Sequence, residues 1–324
     1  MKIRIGILGA AKIAPPVVIN TARDNSDFEV VAVGARDSDR AKAYAAEHKI
    51  PHVAKDYEAL VRRDDVDLVY NALPPSGHAL WTIAALEAGK HVLCEKPFAM
   101  NAAQVRRMNA AAAKSGRKLV EAFHYRHHVV MMRAVEITRS GELGRIVRVD
   151  ADFSVPIPYR DGELRWTREL GGGALMDLGC YPAHALRSVM GREPRVLGAS
   201  CLMEHEVDVT TRAELEFGAI PATLTCSMKP QRFGATLKLR GEKGVMEIAN
   251  YLAPQLGCRF TVTIDETVRE EPTTGPATYV AQLAELGEVL LRNKPQLITN
   301  ADSLGNMTLI DGIYGAAGVN REFG

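Results

Sequence analysis

Short β-branched runs alternate with alanine-rich stretches of helical length from the start of the chain to about Leu119, and no other pattern restricts the fold as tightly. Ile3 to Leu8, Glu29 to Gly34, Leu68 to Ala72, His91 to Cys94 and Lys118 to Ala122 read as strands. Ala41 to Glu47, His78 to Ala88 and Ala102 to Ala113 read as helices between them. The last is preceded by Asn101, with Gln104 three residues on, the pattern of a capping box. Strand and helix in strict alternation make parallel βαβ units, so the expected fold is α/β, a doubly wound sheet of the Rossmann type. Ligands of such a sheet lie off the carboxyl ends of its strands.

The chain has 324 residues, enough for two domains. Its character changes near Tyr125: a helix near Val130 to Ser140 precedes an alternating strand over Arg145 to Val155. Between Arg195 and Thr267, runs such as RAELEF, ATLTCSMK and FTVTID predict an open, mostly antiparallel sheet with one face covered by helices. Closing helices are expected near Ala277 to Arg292 and Asp302 to Gly318. The organisation expected is residues 1–122 for dinucleotide binding and 123–324 as an α+β domain for substrate and oligomerisation. The formal net charge of +1 leaves no global field for nucleic acid or a membrane surface. No apolar run approaches the roughly 18 residues of a membrane span, and MKIRIGILGA reads as a first strand rather than a leader. The five cysteines are scattered, without C-x-x-C spacing, which points to a reducing cytoplasm and no structural metal.

Four stretches carry chemistry. In GILGAAKIA the six residues from Gly9 read G-x-A-x-x-A directly after the first strand. Small residues there permit a tight turn and close approach to a pyrophosphate, with Gly9, Ala11, Lys12 and Ile13 as candidate contacts. At the end of the second strand, VGARDSDR lacks the acidic residue that usually holds the ribose 2′-hydroxyl of NAD. Arg36, Ser38 and Arg40 cluster there instead, so NADP(H) is the expected cofactor, with NAD possible. In HVLCEKPFA, Pro97 keeps Lys96 out of the helical region and ends the strand, which leaves the lysine at the carboxyl edge with Glu95 beside it. In GGGALMDLGCYPAHALRSVMG, Asp177, Tyr181 and His184 recur at spacings of four and three, one face of a helix that Pro182 kinks or starts. Trp166, flanked by Arg165 and Arg168 before the glycine run, is a candidate pocket wall suited to a sugar ring.

GILGAAKIA, NALPPSGH and CEKP together resemble the Gfo/Idh/MocA oxidoreductases, and the layout of the whole chain fits that family. EAFHYR, RW, GGGALMDLGCY and CEKPFA are most similar to the branch of dimeric dihydrodiol dehydrogenase, NADP-dependent D-xylose dehydrogenase and glucose-fructose oxidoreductase. The resemblance implies that Lys96 is catalytic and also meets cofactor and substrate, that Leu73, Pro74, His78 and Glu95 touch the cofactor, and that the lysine–proline bond is often cis. Members usually carry D-x-x-x-H where this chain has Asp177 and Tyr181; the tyrosine is shared by the branch, where it takes the acid/base role. A phenol titrates near 10, so Tyr181 needs a cation to act as a base, and Lys96 is the candidate. Asp177 is expected to orient substrate or lysine, and His184, three residues past the matched position, to reach substrate.

The expected activity is hydride transfer between NADP(H) and a hydroxyl-bearing carbon of a sugar or sugar-like ring, of aldose or dihydrodiol type. Two rivals stand beside it: isomerase- or glycosidase-type chemistry with a retained cofactor, and a non-enzymatic NAD(P)-binding sensor. Relatives assemble through the antiparallel sheet, so a homodimer or homotetramer, joined by an apolar face of that sheet, is expected.

Overall fold

The computed structural model describes residues 2–321, which form two compact units. The first holds the residues up to His124 together with Tyr279–Leu304. Its strands are β1 (Ile3–Leu8), β2 (Phe28–Gly34), β3 (His52–Ala54), β4 (Leu68–Asn71), β5 (His91–Cys94) and β6 (Leu119–Glu121). They pair in the order β3-β2-β1-β4-β5-β6, all parallel, the doubly wound order with its switch point between β1 and β4. The short β3 has no signature in the sequence: it is three residues long, with only Ala54 buried.

Five helical segments connect these strands: α1 (Pro15–Ile19, continuing as Asn20–Arg23), α2 (Ser38–His48), α3 (Tyr57–Val61), α4 (Pro75–Glu87) and α5 (Ala102–Ser115). The first turns of α1 are wound as a π-helix behind two prolines, which lack the N–H that a first turn leaves unused anyway. Asn101 caps α5, its side chain accepting the Gln104 N–H at 2.9 Å, while the Gln104 side chain returns to the Met100 N–H. The box therefore closes one residue earlier than its standard form.

The boundary expected at residue 122, with everything after it in the second domain, needs correcting. Helix α8 (Thr278–Leu291), far along the chain, belongs from Tyr279 to the first unit. Leu283 and Leu286 share a buried cluster with Ile3, Ile5, Ile7 and Phe28, and that burial of apolar surface drives the return.

The second unit holds Tyr125–Thr278 and the chain from Gly305 on. Helix α6 (Val129–Ser140) leads into β7 (Ile146–Ser154), and α7 (Cys180–Met190) follows a π-helical turn over Leu175–Gly179. Then come β8 (Arg195–Glu204), β9 (Val207–Phe217), β10 (Ile220–Ser227), β11 (Gly234–Gly241), β12 (Gly244–Ala249), β13 (Arg259–Ile264) and β14 (Thr267–Glu270), and α9 (Asn300–Ala316) belongs to this unit from Gly305. The sheet runs β14-β13-β12-β11-β7-β10-β9-β8, antiparallel except where β7 meets β10.

Its register separates two faces. Ala213, Leu224, Ala151, Leu237, Ile248 and Phe260 stand opposite one another from β9 to β13, and all are buried. One residue along each strand, the row reads Glu214, Thr223, Asp150, Lys238, Glu247 and Thr261. Cross-strand neighbours share a face, so the face opposite the core is a field of threonines and ion pairs, among them Arg148–Asp150 and Lys238–Glu247. The apolar side chains of the central strands go to the core, while on the edge strand β8 Leu197, Leu202 and Met203 stay exposed.

Candidate active site

In the first unit, the turn after β1 places Gly9 at φ +94°, where an added Cβ would lie 3.2 Å from Leu73 Cδ2. Both carbonyls that follow are held by α2: Arg40 Nη2 donates to the Ala10 oxygen at 2.8 Å and the Tyr44 hydroxyl to the Ala11 oxygen at 2.9 Å. With its carbonyls occupied, the turn over Ala11, Lys12 and Ile13 offers amides at the start of a helix, and that fits a pyrophosphate. Arg40 is thus committed first to the turn, a role its sequence position did not suggest.

At the carboxyl end of β2, Arg36 and Ser38 are exposed. Asp37 caps α2, its carboxylate accepting the Arg40 N–H at 2.9 Å, and Asp39 pairs with Lys42 at 3.1 Å. Both nearby carboxylates are therefore spent on their own helix, and no acidic group occupies the ribose position at Gly34 and Ala35. That suits a 2′-phosphate better than a 2′-hydroxyl.

Lys96 lies just beyond β5, half-buried, with a cis bond to Pro97. The buried Tyr70 hydroxyl donates to Glu95 Oε1 at 2.6 Å, and the Lys96 N–H donates to Glu95 Oε2 at 3.3 Å. Tyr279, brought in by α8, lies within electrostatic reach of Glu95 and Lys96; burial pushes its hydroxyl up to about 12, Glu95 adds to the rise and Lys96 opposes it. Leu73 is buried and Pro74 half-buried at the head of α4. His78, expected to touch the cofactor, is turned inward instead, with no exposed surface. Its Nδ1 is 2.9 Å from the Pro97 carbonyl and its Nε2 2.7 Å from the Leu73 carbonyl, so neither nitrogen is offered to a ligand.

In the second unit the glycine run leads into the π-helical turn. The buried Asp208 of β9 accepts the Leu175 N–H at 2.7 Å, and its other oxygen accepts the Tyr314 hydroxyl at 2.7 Å. Gly173, at φ +115°, lies against that carboxylate where a Cβ would not fit. Asp177 follows one turn later and pairs with Arg165 at 2.6 Å, while Arg165 also holds Glu163. The expected role of Asp177, orienting lysine or substrate, therefore acquires an arginine partner that the spacing did not reveal.

Tyr181 is 7% exposed, its ring set edge-on to Tyr125 and Phe153 at centroid distances of 5.8 and 5.5 Å. His184 does not line a surface, contrary to expectation: it is fully buried, with Nδ1 2.7 Å from the Tyr125 hydroxyl. Three residues apart on α7, Tyr181 and His184 grip the same Tyr125 ring, which is why the spacing resembled a shared binding face. Trp166 is buried, its indole N–H donating to the Pro158 carbonyl at 3.1 Å. Its exposed companions are Tyr159 and His205, stacked at 3.9 Å.

Residues 3–123 match the model of an oxidoreductase family with an NAD-binding Rossmann fold, and residues 131–247 match the GFO/IDH/MocA C-terminal domain. The chain belongs to the Gfo/Idh/MocA oxidoreductases. It is 32% identical over 316 residues to D-xylose 1-dehydrogenase (NADP(+)) 2 of Haloferax volcanii, covering 96% of each chain. It is 35% identical to trans-1,2-dihydrobenzene-1,2-diol dehydrogenase of Xenopus laevis, over 70% of this chain and 68% of that one. The crystal structure of a 3-ketoreductase from Actinomadura kijaniata, in complex with NADP and TDP-benzene, superposes with a TM-score of 0.89 at 29% identity over 98% of both chains. As a Gfo/Idh/MocA member the protein is an oxidoreductase with a nicotinamide-dinucleotide domain. Its cis Lys96–Pro97 bond agrees with the family pattern. Tyr70, Tyr125, Asp208 and Tyr279 escaped sequence reasoning; only Tyr125, inside EAFHYR, lay in a stretch already marked by the resemblance.

Proposed function

We propose that the protein is an NADP(H)-dependent oxidoreductase acting on a hydroxyl-bearing carbon, or the matching ketone, of a sugar or sugar-like ring. The observation that carries the reading is the half-buried lysine just past the carboxyl end of β5, in a Rossmann unit whose β2 end presents arginine and serine in place of an acid. NADP, when bound, supplies the hydride acceptor or donor. The Gly9 to Ile13 turn holds its pyrophosphate, and Arg36 and Ser38, with the remaining donors of Arg40, hold its 2′-phosphate.

Tyr181 takes the hydroxyl proton in oxidation and returns it in reduction. Its ring is fixed by Tyr125 and Phe153, so its hydroxyl is presented with little rotational freedom. Lys96 donates to the substrate oxygen and stabilises its anionic form, which lowers the demand on the phenol as a base. Asp177, held by Arg165, orients the substrate. Assembly as a homodimer or homotetramer through the carboxyl-terminal sheet and a cytoplasmic location belong to the same reading. A monomer by light scattering would end the assembly part.

The test is absorbance of the reduced nicotinamide against a panel of aldoses, polyols and a trans-dihydrodiol with NADP⁺ and NAD⁺, and a nucleotide-linked keto sugar with NADPH. Turnover that prefers NADP(H) supports the proposal. NADPH binding without turnover on any member sinks it, and cofactor that co-purifies and is not consumed points to the retained-cofactor chemistry.

A further inference from the structure

Each of the two loops that flank Lys96 in space begins where a strand ends, and a single imidazole bridges them. The Leu73 carbonyl belongs to the loop between β4 and α4, and the Pro97 carbonyl follows Lys96 directly; His78 lies between the two oxygens at 2.7 and 2.9 Å. The ring has no exposed surface, and burial lowers it to about 4, so it is neutral at physiological pH. A neutral imidazole has one N–H, and two carbonyl oxygens face its two nitrogens. It can satisfy only one of them.

The remainder of the motif supports the bridge. Asn71, the last residue of β4 and fully buried, donates to the His78 carbonyl and to Thr82 Oγ1, both at 3.2 Å, and its own oxygen accepts the Leu73 N–H at 3.3 Å. The asparagine and histidine that bound the NALPPSGH stretch thus form one buried hydrogen-bonded unit.

We infer that His78 is a positioning residue for Lys96: its Nδ1–H latches the Pro97 carbonyl and thereby sets where the lysine side chain leaves the backbone. The nearer Leu73 oxygen, at 2.7 Å, is then the one left facing the lone pair of Nε2, and damage in His78→Asn but not in His78→Gln would put the proton on Nε2 and overturn the latch. This deepens the proposed function, because it rests on Lys96 being the working lysine, and it removes His78 from the set of cofactor contacts.

Two near-isosteric substitutions separate the contacts. The asparagine amide of His78→Asn falls near the place of Nδ1, and the glutamine amide of His78→Gln near that of Nε2. Asparagine leaves the larger void, so a purely packing role predicts more damage from it than from glutamine, the reverse of the order a latch gives. The primary readout needs no substrate: amide hydrogen exchange, by mass spectrometry, of peptides covering residues 95–99. Loss of one buried hydrogen bond should speed local opening about five- to tenfold. His78→Ala and His78→Gln should show that acceleration, and His78→Asn should stay within about threefold of the parent protein. Equal acceleration in the asparagine and glutamine variants, or none in any, overturns the latch.

Turnover on whichever panel substrate the parent protein accepts is the second readout. It should follow the same order in kcat, with NADPH affinity changed little. A parent protein inert on the whole panel would count against the proposed function, while the exchange comparison would still decide the latch.

Discussion

Removing the Tyr314 hydroxyl tests whether the start of the segment bearing Asp177 and Tyr181 is held by a buried charge. Asp208 is 2% exposed, and its carboxylate accepts three donors: Leu175 N–H, Thr211 hydroxyl and Tyr314 hydroxyl, each at 2.7 Å. Burial pushes its carboxyl above the usual range, and the hydrogen bonds from Tyr314, Thr211 and Leu175 oppose that rise. Tyr314→Phe keeps the ring and deletes one donor. A hydrogen bond to a charged group contributes about 1.5–3 kcal/mol, and a loss near 2 kcal/mol lowers the melting midpoint of a domain of this size by roughly 4–8 °C.

The pH dependence follows from linkage. The folded pKa of Asp208 lies above its unfolded value, so between the two the folded state binds more protons. The stability lent by protonation is complete below the unfolded pKa and is lost as pH rises through the folded one. Deleting a donor to the charged form raises the folded pKa further. The deficit of the variant is therefore largest on the alkaline side of the folded pKa and shrinks on acidification through it. Differential scanning fluorimetry at one fixed scan rate across pH 5 to 8 reads this directly. A midpoint unchanged at pH 8, or a deficit identical at every pH, would refute a buried ionised Asp208 as the anchor.

Lys96→Met should lower kcat by about 10²- to 10⁴-fold and leave the NADPH dissociation constant, read by nicotinamide fluorescence, within about threefold; equal loss in both would make the lysine a binding residue only. Arg36→Ala should weaken NADPH about tenfold or more, since a charge-assisted contact contributes about 1.5–3 kcal/mol, and leave NADH almost unchanged. Gly9→Ala places a side chain at φ +94° against Leu73, so by about 1–2 kcal/mol of strain it should weaken both cofactors alike. Titrating each nucleotide against the two variants separates a phosphate contact from a backbone requirement.

Local pattern alone determined much of this protein. Period and propensity are properties of neighbouring residues, so β1 and β5 were legible to the residue, and α5 with its Asn101 cap and the alternation of the second half within two residues at their ends. The glycine turn, the basic end of β2 and the lysine before Pro97 were legible for the same reason: each is a backbone or charge requirement met within a few residues. The spacing of Tyr181 and His184 was read correctly as one helical face, but a face in the sequence does not say whether it looks outward or inward. His78 failed in the same way, since a motif residue that holds the backbone and one that holds a ligand look alike until their partners are known.

Only the tertiary structure decided those partners. Tyr279 reaches the Glu95–Lys96 turn from the far side of the sequence because α8 gains more by burying Leu283 and Leu286 with the first strands than by remaining in water. Asp208 anchors a helix start 33 residues away, and Arg165 finds Asp177 across the glycine run. Burial and hydrogen-bond satisfaction are set by groups distant in the chain. For that reason the sequence could name the chemistry of this protein, while the fold alone could say which polar side chains are left to perform it.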